Sequence, residues 1–324
     1  MAMQRLPAST ETAERLAAAG RRPEAVLMMN QLAANSDPNA LFALGLWRLG
    51  GRIVPRDVAQ ARDLFHRAGE AGRLDGAKVH ANFLASGTGG AADWPGALKR
   101  LGTLARRDAE SKAALELIGA MDLDASGHPA ATPVGVTVHE APEARHFPTF
   151  LTPRECDYLV KVAAPRMKPS VVVDERTGRQ VPNPIRTSDG ADFPWLLADP
   201  AVTALNRRIA AASGTGFDQG EPLQVLRYRP GQQYKPHLDA IAGLDNQRIL
   251  TMIVYLTDDY QGGETRFMRS GFTFRGGKGD ALLFHNTLPD GRPDPASEHA
   301  GLPVTSGAKL IASRWIRART LVPE

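Results

Sequence analysis

The chain has 324 residues, 43% of them hydrophobic, which is long enough for two ordinary domains with their own cores. Its 39 basic and 35 acidic residues leave a formal charge of +4, and no Lys/Arg block offers a nucleic-acid footprint. A single cysteine, Cys156, excludes an internal disulfide framework and any multi-cysteine zinc site, so a bound metal has to be held by His and carboxylates. No stretch approaches the roughly 18 apolar residues of a membrane span, and MAMQRLPASTETAERLAAAGRRPEAVLMM lacks a signal-type apolar core. These features predict a soluble, cytoplasmic protein.

Residues 11–123 are rich in Ala, Leu, Arg and Glu at helical spacing, which predicts an all-helical domain. Shifting this region by 36 residues aligns Ala25, Ala61 and Ala97, then Met29, Phe65 and Leu101, then Leu32, Ala68 and Leu104. Ala33, Gly69 and Ala105 form a fourth column, and Leu41, Ala77 and Ala113 a fifth. Small residues where helices approach, beside large ones that fill the gaps, are what stacked helix pairs require. With Ala43-Leu44-Gly45 and the Gly50-Gly51 turn, the pattern resembles tetratricopeptide-like repeats of the Sel-like subclass. That resemblance implies an α-solenoid able to present a peptide or protein.

Residues 124–135, beginning Asp124-Ala125-Ser126-Gly127-His128-Pro129, read as a linker, and the texture then changes. Within 136–324, FLTPRECDYLVKVAAP reads as a helix with Thr152 as N-cap, Pro153 in the first turn and Glu155 closing a capping box. A second helix is expected over 199–213. From residue 222 the chain is strand after strand: LQVLRY, ILTMIVYLT, TRFM, FTFR, DALLF and KLIASRWIRA. Gly-Gly, Asp-Gly and Pro-Gly punctuation argues for an antiparallel barrel or jelly roll. The fold class expected is α+β in two domains, a helical solenoid followed by an antiparallel barrel or jelly roll with flanking helices.

His237 and Asp239 stand two apart in extended chain, so their side chains project to one side. A non-haem Fe(II) oxygenase needs two His and one carboxylate on one face of an octahedron, and these two residues supply part of that set. His285 and His299 are the downstream candidates for the third ligand. Lys309 follows His299 by ten residues at the head of a strand, where an inward cation needs a bound anion.

Residues 135–324 resemble the catalytic domain of prolyl 4-hydroxylases, within the Fe(II)/2-oxoglutarate-dependent dioxygenases. The matching stretches are FLTPREC, IRTS at 185–188, LQVLRYRPGQQYKPHLD, RILTMIVYLTDDYQGGETRF, KGDALLF and HAGLPVTSGAKLIASRWIR. The resemblance implies Fe(II) held by His237, Asp239 and His299, with 2-oxoglutarate anchored by Lys309. Period 2 in RILTMIVYLT puts Thr251, Ile253 and Tyr255 on one face. By the same resemblance Thr251 and Tyr255 belong to the 2-oxoglutarate pocket and Tyr228 borders the iron site. Arg248 and Arg186 would then stand near the substrate mouth, and 174–188 would form a lid. Tyr234 is expected to be a core aromatic.

The implied reaction consumes O2 and 2-oxoglutarate, releases succinate and CO2, and hydroxylates a peptidyl proline, with L-ascorbate as the family's usual reductant. Leu310, where an aromatic residue is common, and Met268, where proline is usual, depart from the family pattern. Alternative acceptors are a free amino acid or other small molecule. An oxygenase of alkylated nucleic acid is disfavoured because no basic stripe with interleaved aromatics is present. A non-catalytic scaffold or 2-oxoglutarate sensor is the reading from another class, and a zinc hydrolase would leave Lys309 and Tyr255 unexplained.

Overall fold

A computed structural model describes residues 8–173, 180–194 and 196–321. The chain divides into two compact units, one running to Gly127 and including 196–203, the other comprising His128–Pro194 and the chain from Ala204 onward. Segment 196–203, which the sequence assigns to the second domain, thus groups with the first unit.

The first unit contains helices α1 Thr10–Ala18, α2 Arg22–Ala34, α3 Pro38–Gly50, α4 Val58–Glu70, α5 Leu74–Ser86, α6 Trp94–Leu104 and α7 Ala109–Ile118. Each packs on the next in sequence. Ala25, Ala61 and Ala97 are each the fourth residue of α2, α4 and α6, and all three are fully buried. Met29, Phe65 and Leu101, one helical turn on, fill the space beside them. Close approach explains the small residues: a Cβ on Gly45 would meet the Phe65 ring at 2.8 Å, and one on Gly69 would meet the Ala77 backbone at 2.9 Å. Asp57 and Asp93, themselves in register, cap α4 and α6 by accepting from the N–H groups of Gln60 and Gly96.

The second unit begins with strands β1 Val136–Glu140 and β2 Glu143–Phe147, then helix α8 Pro153–Ala163. Short strands β3 Lys168–Pro169, β4 Val171–Val173, β5 Gln180–Pro182 and β6 Asp189–Phe193 lead to helix α9 Pro200–Ser213, of which the part from Ala204 belongs to this unit. There follow β7 Leu223–Tyr228, β8 Tyr234–His237, β9 Arg248–Tyr255, β10 Gln261–Gly262, β11 Thr265–Phe267, β12 Thr273–Phe274 and β13 Ala281–His285. The last strands are β14 His299–Gly301, β15 Val304–Ser306 and β16 Lys309–Arg317.

An eight-stranded sheet runs β1-β2-β13-β9-β16-β7-β6-β3, and a four-stranded sheet runs β12-β11-β14-β8. One core joins the inner faces of the two: Leu226, Ile253, Tyr255, Phe284 and Ile311 from the large sheet meet Phe267 from the small one. This is the expected jelly roll. On the large sheet's other face, Arg314 donates to the carbonyls of Asn206 in α9 and of Phe217, Gly220 and Glu221. Glu155 of α8 takes two hydrogen bonds from Arg208 of α9, at 2.7 and 2.8 Å. The α8 capping box forms as expected, with Thr152 accepting from the Glu155 N–H and Glu155 accepting from the Thr152 N–H. Cys156, on α8, is fully buried, its Sγ 3.9 Å from the Tyr255 carbonyl.

Of the polar loop 174–188, residues 174–179 lie outside the described residues. Its remainder forms β5, which pairs with β4, and a bridge from Arg186 to Tyr234.

Candidate active site

β8 and β14 are neighbours in the small sheet, and their register sets His299 directly across from His237. Asp239 lies two residues beyond His237, just past the end of β8, which returns its carboxylate to the same side. Among the described residues these three form the one cluster with metal-ligand spacing, their ligand atoms all within 4.8 Å of one another. His237 Nε2 lies 3.5 Å from Asp239 Oδ1, and His299 Nε2 lies 3.7 Å from Asp239 Oδ2. His285, the other candidate, is exposed on β13 with its Nε2 3.9 Å from Glu143, and is outside this cluster.

The hydrogen bonds behind the cluster fix its chemistry. His237 Nδ1 faces the Lys235 carbonyl at 2.8 Å, and His299 Nδ1 faces the Ser297 carbonyl at 3.0 Å. A carbonyl only accepts, so both Nδ1 atoms carry the proton and both Nε2 atoms present lone pairs toward the centre. His237 Nε2 is buried and has no hydrogen-bond partner. Burial pushes His299 down to about 4, against the pull of Asp239, so its ring is neutral at physiological pH. Burial alone would raise the Asp239 carboxyl, but the imidazoles beside it and the Thr251 hydroxyl outweigh that and hold it below the usual carboxylate range. Two imidazoles with Nδ1 turned to a carbonyl and Nε2 toward the centre, together with one carboxylate, are the donor set that a divalent iron requires.

Beside the cluster opens a pocket of about 350 Å³ including its mouth, lined by Tyr228, Tyr234, Thr265, His299, Lys309 and neighbouring apolar residues. Lys309 heads β16 opposite Tyr228 of β7 and is 3% exposed. Its Nζ donates to the Gly263 carbonyl at 2.6 Å and lies 5.7 and 5.5 Å from the rings of Tyr228 and Tyr255. Burial pushes the ammonium down to about 8, while Glu264 pulls it back up from a distance. Among the described residues no carboxylate forms an ion pair with it. A buried cation with one neutral acceptor fits an incoming carboxylate, as the distal end of 2-oxoglutarate would provide.

The other expected residues fall into place unevenly. Tyr228 lines the pocket and is itself buried. Tyr255 is fully buried, and its hydroxyl lies 3.0 Å from that of Thr265, which does line the pocket. Thr251 faces the same way as Tyr255 but does not line the pocket: its hydroxyl donates to Asp239 Oδ2 at 2.6 Å. Arg248 is held by Glu221 through two hydrogen bonds, of 2.6 and 2.9 Å, and stacks 3.8 Å above the Trp315 ring. Arg186 lies 5.8 Å over the Tyr234 ring and donates to Gln224, with its Nε buried and unpartnered.

Sequence reasoning missed three contributors. Tyr234, taken for a core aromatic, stacks on His237 with ring centroids 3.5 Å apart. Thr265 carried a usable signal, since it alternates with Phe267 on the inward face of β11. Gly263, read as a turn residue, supplies the acceptor for Lys309, and nothing local to the sequence marks it.

Residues 223–317, from β7 to the end of β16, match the 2OG-Fe(II) oxygenase superfamily. The chain is 41% identical over 189 residues to prolyl 4-hydroxylase 1 of Arabidopsis thaliana, covering 52% of this chain and 67% of that protein. It is 36% identical over 200 residues to the probable prolyl 4-hydroxylase 10 of the same plant, covering 54% and 69%. Among solved structures, the viral collagen prolyl hydroxylase of Paramecium bursaria Chlorella virus-1 is 28% identical, covering 54% of this chain and 96% of that one, with a TM-score of 0.44. The sequence match spans the His-Asp-His cluster and the buried lysine alike, and the chain belongs to the prolyl 4-hydroxylase family of Fe(II)- and 2-oxoglutarate-dependent dioxygenases.

Proposed function

We propose that this chain hydroxylates a prolyl residue of a peptide or protein, with His237, Asp239 and His299 as the Fe(II) ligands and Lys309 as the 2-oxoglutarate anchor. The observation that carries the reading is the pair of histidines whose Nδ1 protons are committed to carbonyls, which leaves both Nε2 lone pairs facing Asp239. Bound Fe(II) supplies the redox chemistry by which O2 and 2-oxoglutarate become succinate and CO2 while one oxygen atom enters a substrate C–H bond.

The protein's own part is orientation and exclusion of water. Lys309 fixes the far carboxylate, Tyr255 and Thr265 hold the hydroxyl edge of the pocket, and Tyr228 and Tyr234 wall it beside the ligands. Arg186, which lies over the Tyr234 ring, and Arg248 are assigned to the substrate side of the pocket. Proline as the acceptor rests on the relatives' activity, as does a role for L-ascorbate in keeping iron reduced.

The dioxygenase domain is proposed to comprise 136–324, after a linker at 124–135. Residues 11–123 form tetratricopeptide-like repeats that present the protein substrate, a reading supported by the 36-residue recurrence of buried positions in α2, α4 and α6. Among the described residues no helix is long and apolar enough to cross a membrane. The single, buried Cys156 suits a reducing, cytoplasmic setting.

The test is anaerobic titration of the metal-free protein with Fe(II) and then 2-oxoglutarate, following the weak visible charge-transfer band of a chelated 2-oxoacid, with His299→Ala as control. A band lost in the variant, followed by one added oxygen on a proline peptide in mass spectrometry, supports the reading. No band in the wild type sinks it, and a band without peptide oxidation redirects the search to small-molecule acceptors.

A further inference from the structure

Behind the ligands lies a residue that the reaction so far leaves without a role. Asn286, immediately after β13, is fully buried. Its Nδ2 donates to Thr251 Oγ1 at 2.8 Å, and Thr251 Oγ1 in turn donates to Asp239 Oδ2 at 2.6 Å. A hydroxyl has one proton. With the Asn286 amide filling its acceptor side, the Thr251 proton is directed at the carboxylate. The same residue reaches the second ligand through its backbone: its carbonyl accepts from the Asp294 N–H at 3.0 Å, and that anchors the turn ending at Ser297. The Ser297 carbonyl is the acceptor for His299 Nδ1. Asn286 Oδ1, by contrast, is buried without any partner. An amide kept only to fill space would be better replaced by an apolar side chain, because a buried unsatisfied carbonyl oxygen is destabilising.

We propose that Asn286 is a positioning residue for the metal centre, acting through Thr251 on the orientation of Asp239 and through the 294–297 turn on that of His299. The proposal rests on the assignment of His237, Asp239 and His299 as metal ligands. Its distinctive content is polarity. The side chain at 286 must donate to Thr251; an acceptor of the same shape would compete with Asp239 for the threonine proton and turn the carboxylate's support away.

The experiment is titration of the metal-free full chain with Co(II), an oxygen-insensitive probe, reading affinity and the visible d–d spectrum and checking each variant by thermal melting. Asn286→Asp is nearly isosteric but replaces the donor; about a tenfold or greater loss of Co(II) affinity and an altered spectrum are expected. Thr251→Val should lose affinity similarly, Thr251→Ser should restore it to within about twofold, and Asn286→Asp added to Thr251→Val should cause little further loss. This threonine series keeps the test decisive if Asn286→Asp does not fold. Wild-type affinity and spectrum in Asn286→Asp, or full additivity in the double variant, would overturn the relay while leaving the ligands in place. If the wild type fails to bind Co(II), or His299→Ala binds it equally well, the ligand assignment fails and the relay with it.

Discussion

Lys309 and Gly263, at opposite ends of the β10–β16 region of the chain, are joined by a hydrogen bond of 2.6 Å in which the lysine ammonium donates to the glycine carbonyl. That bond holds a buried cation in the wall of the pocket that His237 and His299 also line, with its remaining protons available to an anion. Lys309→Met should therefore raise KM for 2-oxoglutarate by about a hundredfold, with a much smaller effect on Fe(II) affinity, because it removes the charge that a buried carboxylate would meet. Steady-state kinetics in 2-oxoglutarate beside a metal titration would separate the two effects. Equal losses in both would assign Lys309 to the fold instead.

The same lysine sets a pH dependence with a definite sign. Its folded value is pushed down to about 8 from 10.5, so between those values the unfolded chain binds more protons than the folded one. The Lys309 contribution to the stability of the protein without 2-oxoglutarate should therefore rise with pH across that window, by up to about 3 kcal/mol, and is read as the difference between wild type and Lys309→Met, because the buried Cys156 thiol acts with the opposite sign in the upper part of the window. Binding of 2-oxoglutarate needs the charged form, so its affinity should weaken as pH climbs past about 8. Denaturant melts across the window, and KM measured over the same range, check both signs.

Gly263 has φ +70°, and a Cβ there would come within 3.0 Å of Val304 and 3.1 Å of the Lys309 side chain. Gly263→Ala combines left-handed strain of about 1–2 kcal/mol with displacement of the lysine it serves. The expected outcome is a folded protein with lowered Tm and weaker 2-oxoglutarate binding, read by calorimetry and competition with an unreactive 2-oxoacid analogue.

Tyr234→Ala removes the ring stacked on His237, whereas Tyr234→Phe keeps it. The alanine variant should lose turnover by several-fold, up to about tenfold, and the phenylalanine variant should stay close to wild type. A loss in both would point to the hydroxyl.

The two arginines should behave differently. Arg248→Ala removes one of the two guanidinium partners of Glu221, which is 13% exposed at its side chain, and should cost about 2 kcal/mol of stability. Arg186, free of any ion pair among the described residues, should on change to Ala raise KM for a proline peptide with little effect on Tm. Peptide kinetics together with melting curves distinguish these patterns.

Much of this architecture was legible in the residues. Thr152, Pro153 and Glu155 announce α8, because a capping box is a local chemical motif. LQVLRY gives β7 to the residue, since it is a short run of mostly apolar and aromatic residues bounded by turn signals, buried on both faces of the sheet. His237 and Asp239 are legible because their relation spans only two residues of extended chain. What stayed hidden depends on register between distant segments. Gly263 meets Lys309 across 46 residues, and Asn286 meets Thr251 across 35. Alternation tells which face a side chain takes, but it does not name the partner that waits there. β1 and β2 escaped notice for a related reason: VTVHE and EARHF are short and mixed in polarity, and only pairing with β13 makes β2 part of the large sheet.

Cys156 adds a practical consequence. Its thiol is fully buried under the large sheet, and burial pushes it up to about 12, so at neutral pH it is neither ionised nor reachable by reagents. With no other cysteine in the chain, a thiol-reactive dye has a single target, and that target becomes available only when α8 lifts from the barrel. Labelling rate therefore serves as a built-in clock for opening of the catalytic unit, and its slowing on addition of 2-oxoglutarate and metal would measure, without any turnover, how tightly the two brace the fold.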